Sequence, residues 1–240
     1  MTFRPLLFAL LALSTFVFSA ACLAAPERLV IVRHGEKLNT WQLCQTGIDR
    51  AQALSTQYIG QDATQPLFAS VPPAAILTLT IHTSETAQPT AHARNIPTTN
   101  YLALPSAGVT DAVLEAIMNH QNRLAVHDLL NDSRYNGKQV LMVWEHFHTA
   151  SAALEARYPG EQVTLRQLLK LDQPPFASQV PATWPDSNYN FFWIIDFNSD
   201  GSIKAFSTQR QSFTGRYASL PNNDWGTPDN LPVNAHCLKN

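Results

Sequence analysis

The chain has 240 residues and a formal net charge of −2 at pH 7. That length suffices for one α/β domain with a sizeable core. The charge balance has no basic excess of the kind that binds nucleic acid or an anionic membrane.

Arg4 precedes an apolar run from Leu6 to Phe18 and then the small residues of Ser19–Ala25. This is the pattern of a secretory signal peptide over residues 1–25, with cleavage after Ala24 or Ala25. The apolar run is short for a retained membrane anchor, which needs about 20 residues. A lipoprotein would use Cys22, but Ser19 is a poor residue three places before it. The expectation is an exported, periplasmic or secreted protein without stable membrane insertion, with residues 26–240 as one domain. Losing Arg4 would take the formal charge from −2 to −3. Cys44 and Cys237 would then be the remaining cysteines, in a compartment that permits a disulfide between them.

Leu29–Val32 reads as a buried strand that stops at Arg33-His34-Gly35-Glu36, residues costly to bury without a role. Gly35 is expected to let the chain turn sharply. Thr46–Ile59 reads as a helix, with Thr46 as N-cap and Ile48, Ala51, Leu54 and Tyr58 on its apolar face. Ala74–Thr80 reads as a second strand. A turn and a short helix are expected over Ile81–Arg94, with Pro89 in the first helical turn. Thr98–Leu102 is a short extended piece. Val109–Leu130 carries helical spacing at Val113, Ile117, Leu124 and Leu130, as one long helix or two short ones. Asn136-Gly137 marks a turn, and Lys138–Trp144 a third strand ending in Glu145-His146-Phe147-His148. Thr149–Arg157 reads as a helix, 161–188 as largely irregular, and Tyr189–Phe197 with Ser202–Thr208 as a hairpin. Alternating strands and helices predict an α/β three-layer sandwich: a mostly parallel sheet flanked by helices, with the C-terminal hairpin at its edge.

In open α/β sheets, ligands bind at the carboxyl ends of the strands, where both polar clusters fall. A histidine beside an arginine suits phosphoryl transfer, the imidazole attacking phosphorus while the guanidinium holds its oxygens. If their strands are neighbours, His34 and His146 meet. A zinc site built from His34, His82, His146 and His148 is the competing arrangement, disfavoured by Arg33 beside His34.

Arg33-His34-Gly35-Glu36 resembles the signature of the histidine phosphatase superfamily, the phosphoglycerate-mutase-like enzymes. Val143-Trp144-Glu145-His146 resembles its second histidine element, and Gly47–Leu54 its first helix. Trp184-Pro185-Asp186 and the following hairpin resemble the C-terminal end of a bacterial branch. The likeness spans roughly residues 28–210.

The resemblance implies a phosphatase acting on a small phosphate ester without a cofactor or metal. His34 would be the nucleophile, Arg33 and His146 would bind phosphate, and Glu145 would donate a proton, with Glu115 as the alternative acid. Glu36 would orient the loop. The family's usual second arginine is missing, and His82 or Thr86 stands in its place, according to the register. His82 would be a clamp charged in mildly acidic solution, its pKa lowered in the free protein by Arg33. That departure keeps a second reading open, a weak or inactive phosphate-binding relative. Loops 61–73 and 98–110 are expected to form the pocket rim.

Overall fold

The computed structural model describes residues 25–68, 71–232 and 234–238. Apart from Ala25, the expected leader, including Cys22, lies outside the described residues. No helix among the described residues is long and apolar enough to cross a membrane.

Six strands form one sheet: β1 (Arg28–Arg33), β2 (Ala75–Thr78), β3 (Thr98–Asn100), β4 (Gln139–Trp144), β5 (Phe191–Phe197) and β6 (Ile203–Arg210). Their order is β3-β2-β4-β1-β5-β6. The first four in that order run parallel, and the β5–β6 hairpin adds antiparallel strands beside β1. This is the α/β sandwich with an edge hairpin that the alternation of elements predicts.

Apolar residues alternate between two buried layers. Leu29 and Ile31 pack with Val140, Met142, Ala125 and Leu129. Val30 and Val32 pack with Leu141, Val143, Leu54, Tyr58 and Ala87.

Helix α1 (Gln45–Leu54) continues into a π-helical turn, Ser55–Ile59. Its N-cap is Cys44 rather than Thr46, and Ile48 is exposed while Gly47, Arg50, Ala51, Ala53 and Leu54 are buried. The buried face is set by the turn after β1. A Cβ on Gly35 would lie 2.7 Å from the Gly47 carbonyl oxygen, and one on Gly47 would lie 2.2 Å from that of Glu36. Gly35 has no positive φ, so close backbone approach, rather than conformational freedom, requires glycine there.

Helix α2 (Ile81–Arg94) begins at once after β2, because Thr80 and Thr83 form a capping box. Pro89 therefore lies inside the helix instead of in its first turn, where it offers no N–H to the carbonyl four residues back. The single long α3 (Asp111–Asn131) buries Asn119, Asn122, Ala125, Val126 and Leu129 and leaves Val113 and Leu124 exposed. Polar contacts choose that face. The Asn122 amide donates to the His148 and Val163 carbonyls and accepts from Trp144 Nε1.

In place of one helix from Thr149 there are two, α4 (His146–Thr149) and α5 (Ala152–Arg157), separated where Ser151 caps α5. One further turn, α6 (Leu165–Leu168), precedes the hairpin.

The described residues of loop 61–73 do not form the rim expected of them. Ala74 N donates to the carbonyl of Gln139, the first residue of β4, so this loop enters at the opposite end of the sheet. The stretch after β3 does lie at the carboxyl end, with Tyr101 and Ala103 donating to Thr78 and Leu79. Cys44 and Cys237 are disulfide-bonded with Cα atoms 5.4 Å apart. Beside the bond, Leu238 N donates to the Lys37 carbonyl, pinning the tail to the loop after β1.

Candidate active site

β1 and β4 pair in parallel with Arg33 opposite Trp144, and His34 N donates to the Trp144 carbonyl. This adjacency brings the two polar clusters together. Strand alternation would point Glu145 and His146 to opposite faces, but the strand has ended. Glu145 is the extended N-cap of α4 and His146 its first residue. The His34 ring centroid lies 6.0 Å from that of His146 and 6.0 Å from that of His82.

His34 is completely buried. Its Nδ1 lies 2.6 Å from the Gly35 carbonyl oxygen, so Nδ1–H donates and the neutral ring keeps its lone pair on Nε2. Burial lowers the His34 pKa to about 4; Glu145 opposes this, and Lys37 and Arg33 reinforce it.

Arg33 is equally enclosed. Its Nη1 donates to the carbonyls of Pro185, Asp186 and Asn188, and its guanidinium lies 3.7 Å from the centre of the Tyr189 ring. The 185–188 segment also holds His146, whose Nε2 is 2.6 Å from Asp186 Oδ1. Burial brings His146 to about 3, helped by Arg33 and opposed by Asp186. The Asp186 carboxyl is itself held below its usual range by the bond to His146.

Four buried polar atoms here have no hydrogen-bond partner among the described residues: Arg33 Nε and Nη2, His34 Nε2 and His146 Nδ1. Leaving such a group unpaired costs about 1–3 kcal/mol, more when it is charged. A cluster of them is a prepared place for a polar ligand.

Glu145 faces the same spot. Its Oε2 is 3.2 Å from His34 Nε2, without the alignment of a hydrogen bond, and 3.4 Å from Lys37 Nζ. Thr80 Oγ1–H donates to Oε1 at 2.7 Å. Burial pushes the Glu145 pKa up, but His34, Lys37 and Thr80 outweigh it and hold the carboxyl well below its usual range. The resting pair is a neutral imidazole beside an ionised carboxylate, since burial favours the first and Lys37 with Thr80 stabilises the second.

Glu36 binds a different partner. Arg50 donates to it through Nε and Nη2, the shortest contact being 2.6 Å, with both side chains wholly buried. Arg50 also reaches Gln211 Oε1 and the Pro221 carbonyl. Thr86, in the alternative register for the absent arginine, accepts a hydrogen bond from Gly35 N.

His82 lies beside His34, but its Nε2 donates to the Asn39 carbonyl at 2.8 Å. Its pKa is lowered by burial and then by Lys37, not by Arg33 as the sequence suggested. Both Glu115 oxygens are engaged by Arg157, with Tyr158 donating to one. His148 turns away to Asn119 Oδ1.

The competing four-histidine zinc set, disfavoured from the sequence, does not assemble among the described residues. The metal-capable group among the described residues is His34, Glu145 and His146, whose ligand atoms lie within 4.8 Å of one another. Arg33 and Lys37 beside it oppose a cation.

Sequence reasoning missed Lys37, Asp186 and the stacking of Tyr189 on Arg33. Lys37 is contiguous with the first polar cluster, so its position was the available signal. Asp186 stood in the Trp184-Pro185-Asp186 motif but was given no role, because only the tertiary fold brings 185–188 against the ends of β1 and β4.

No family model and no curated protein matches the chain. Among solved structures, it is similar to Mycobacterial hydrolase 2 at 14% identity and TM-score 0.46, covering 80% of this chain and 93% of that one. It is similar to Mycobacterial hydrolase 1 at 15% identity and TM-score 0.41, covering 79% and 99%. A crystal structure titled as the putative phosphohistidine phosphatase SixA from Agrobacterium tumefaciens matches at 13% identity and TM-score 0.37, covering 76% and 98%. Similarity at this level decides neither activity nor substrate.

Proposed function

We propose that this chain is an exported phosphomonoesterase of the histidine phosphatase type, acting through a phosphohistidine on His34. The observation that carries the reading is the convergence of four buried, partnerless atoms from Arg33, His34 and His146 beside a carboxylate. Arg33 Nε and Nη2 form a planar donor edge suited to two phosphate oxygens. Lys37, at 3.4 Å from Glu145, supplies the second positive charge in place of the missing arginine, and His82 holds the Asn39 loop.

In the reaction, neutral His34 Nε2 attacks phosphorus in line. The bond from phosphorus to the leaving oxygen breaks as the Nε2–phosphorus bond forms, and the leaving alcohol takes a proton from Glu145. Phosphorus occupies the place in front of Nε2 that Glu145 Oε2 holds at rest, so the carboxyl turns about its Thr80 bond. The incoming phosphate raises the Glu145 pKa by adding negative charge beside it, and the carboxyl takes up a proton on binding. Water then attacks phosphorus and returns a proton to Glu145, which frees phosphate and His34.

One observation favours a second reading, an anion-binding relative without turnover: Glu145 Oε2 already stands 3.2 Å from Nε2. Turnover on a panel of small phosphomonoesters, with and without a chelator and with His34→Ala as control, separates the two. Hydrolysis that resists chelation and is lost in His34→Ala supports the enzyme. Binding of orthophosphate without hydrolysis supports the relative, and loss of hydrolysis on chelation supports a metal on His34, Glu145 and His146.

A further inference from the structure

Asp186 does more than sit beside His146. Its backbone carbonyl accepts from Arg33 Nη1 and its carboxylate lies 2.6 Å from His146 Nε2, so one residue supports both anion-binding groups. In the neutral ring the proton is on Nε2, shared with the carboxylate. The buried Nδ1 then carries a lone pair with no hydrogen-bond partner among the described residues, in a ring whose centroid lies 6.0 Å from that of His34. A lone pair repels an anionic oxygen, so His146 can hold one only after Nδ1 has taken a proton.

We propose that Asp186 is a positioning residue that makes anion binding at this site obligatorily coupled to uptake of one proton by His146. The proposal rests on the phosphatase reading and deepens it. Without the carboxylate, the neutral ring would move its single proton to Nδ1 and donate it to the anion directly. With the carboxylate, the bound state is an imidazolium using both N–H groups, Nε2–H to Asp186 and Nδ1–H to the anion.

The charged groups around the ring fit this account. Arg33 and His34 approach from the end of β1 and Glu145 from the cap of α4, while Asp186 comes from the 185–188 segment; Lys37 Nζ lies 3.4 Å from Glu145 Oε2. Arg33 disfavours the imidazolium at rest, and an arriving dianion offsets that charge. Glu145 can also take up a proton, but its contribution is shared by variants at position 186.

The test is calorimetric titration of the full-length protein with sulfate, a tetrahedral dianion that does not itself titrate near neutrality. Repeating it in buffers of different ionisation enthalpy counts the protons taken up. The Asp186 side chain is 53% exposed, and Asp186→Ala keeps the backbone carbonyl, so the variant should fold; a thermal melt checks it. The expected result is about one proton fewer in Asp186→Ala and Asp186→Asn than in wild type. Wild-type affinity should fall up to about tenfold more steeply per pH unit above neutrality than that of Asp186→Ala. Nitrogen NMR of His146 in the free wild type should show the Nε2–H tautomer, lost in Asp186→Ala. Equal proton uptake in all three proteins, or an Nδ1–H tautomer in wild type, overturns the proposal while leaving the phosphatase reading standing. No sulfate or phosphate binding together with no phosphomonoester turnover by wild type overturns both.

Discussion

In Arg50→Met the guanidinium gives way to an apolar chain of similar length, and Glu36 stays behind in a site with no solvent exposure. Removing one member of a buried ion pair costs about 3–5 kcal/mol, because the other charge is left unpaired. Arg50 also donates to Gln211 and to the Pro221 carbonyl, bonds worth roughly 1 kcal/mol each. Against a typical domain stability of about 5–15 kcal/mol, the substitution should remove a third or more of the total. The paired variant Glu36→Gln/Arg50→Met abolishes the stranded charge and should recover at least half of the loss. Urea unfolding, read from the midpoint at unchanged slope, measures all four corners of the cycle. An Arg50→Met protein within about 1 kcal/mol of wild type would refute the assignment of Glu36 as the structural anchor of the signature turn.

Acid should destabilise the fold through its buried histidines. His34, His146 and His148 have pKa values lowered to about 4, 3 and 4, so between those values and 6.5 the unfolded chain binds more protons. Their contribution is intact above pH 6.5 and falls with pH, by about 2 kcal/mol per group at pH 5; a urea midpoint unchanged between pH 7 and pH 5 would contradict this. The Cys44–Cys237 bond spans a sequence separation of 193, for which chain entropy gives a stabilisation on the order of 5 kcal/mol. Cys44→Ser should lower the urea midpoint and, by loosening the Lys37 loop, reduce turnover; a midpoint equal to wild type refutes the first effect. Glu145→Gln should cut turnover about a hundredfold or more, and Glu115→Gln should leave it nearly unchanged. The reverse ranking would identify Glu115 as the acid.

The strands and the two polar clusters were legible because buried apolar runs ending in charge are a local signal. The register was not legible: Arg33 lies opposite Trp144, which aligns the two strand ends and lets His34 and His146 meet, whereas the sequence showed only that both runs end in charge. The helix faces were less legible. α1 turns its face according to the Gly35–Gly47 contact and α3 according to the Asn122 hydrogen bonds, and apolar periodicity records neither. Pro89 misled because its usual preference for a first turn was overridden by the Thr80 capping box. His82 was placed near the site but not in its role, as the Asn39 carbonyl that occupies it belongs to a loop whose path only the fold reveals. Asp186 escaped because His146 and Arg33 meet it only in the fold, whereas Lys37 stood beside the first polar cluster and its Glu145 partner was what the sequence did not show.

The measurement that bears most directly on the central claim is a rapid quench during turnover of a phosphomonoester, followed by mapping of acid-labile phosphate on the protein. Phosphate on His34 in the wild type, absent in His34→Ala along with turnover, is the predicted result. Continued hydrolysis in a folded His34→Ala protein, or turnover with no phosphate ever trapped on His34, would contradict it.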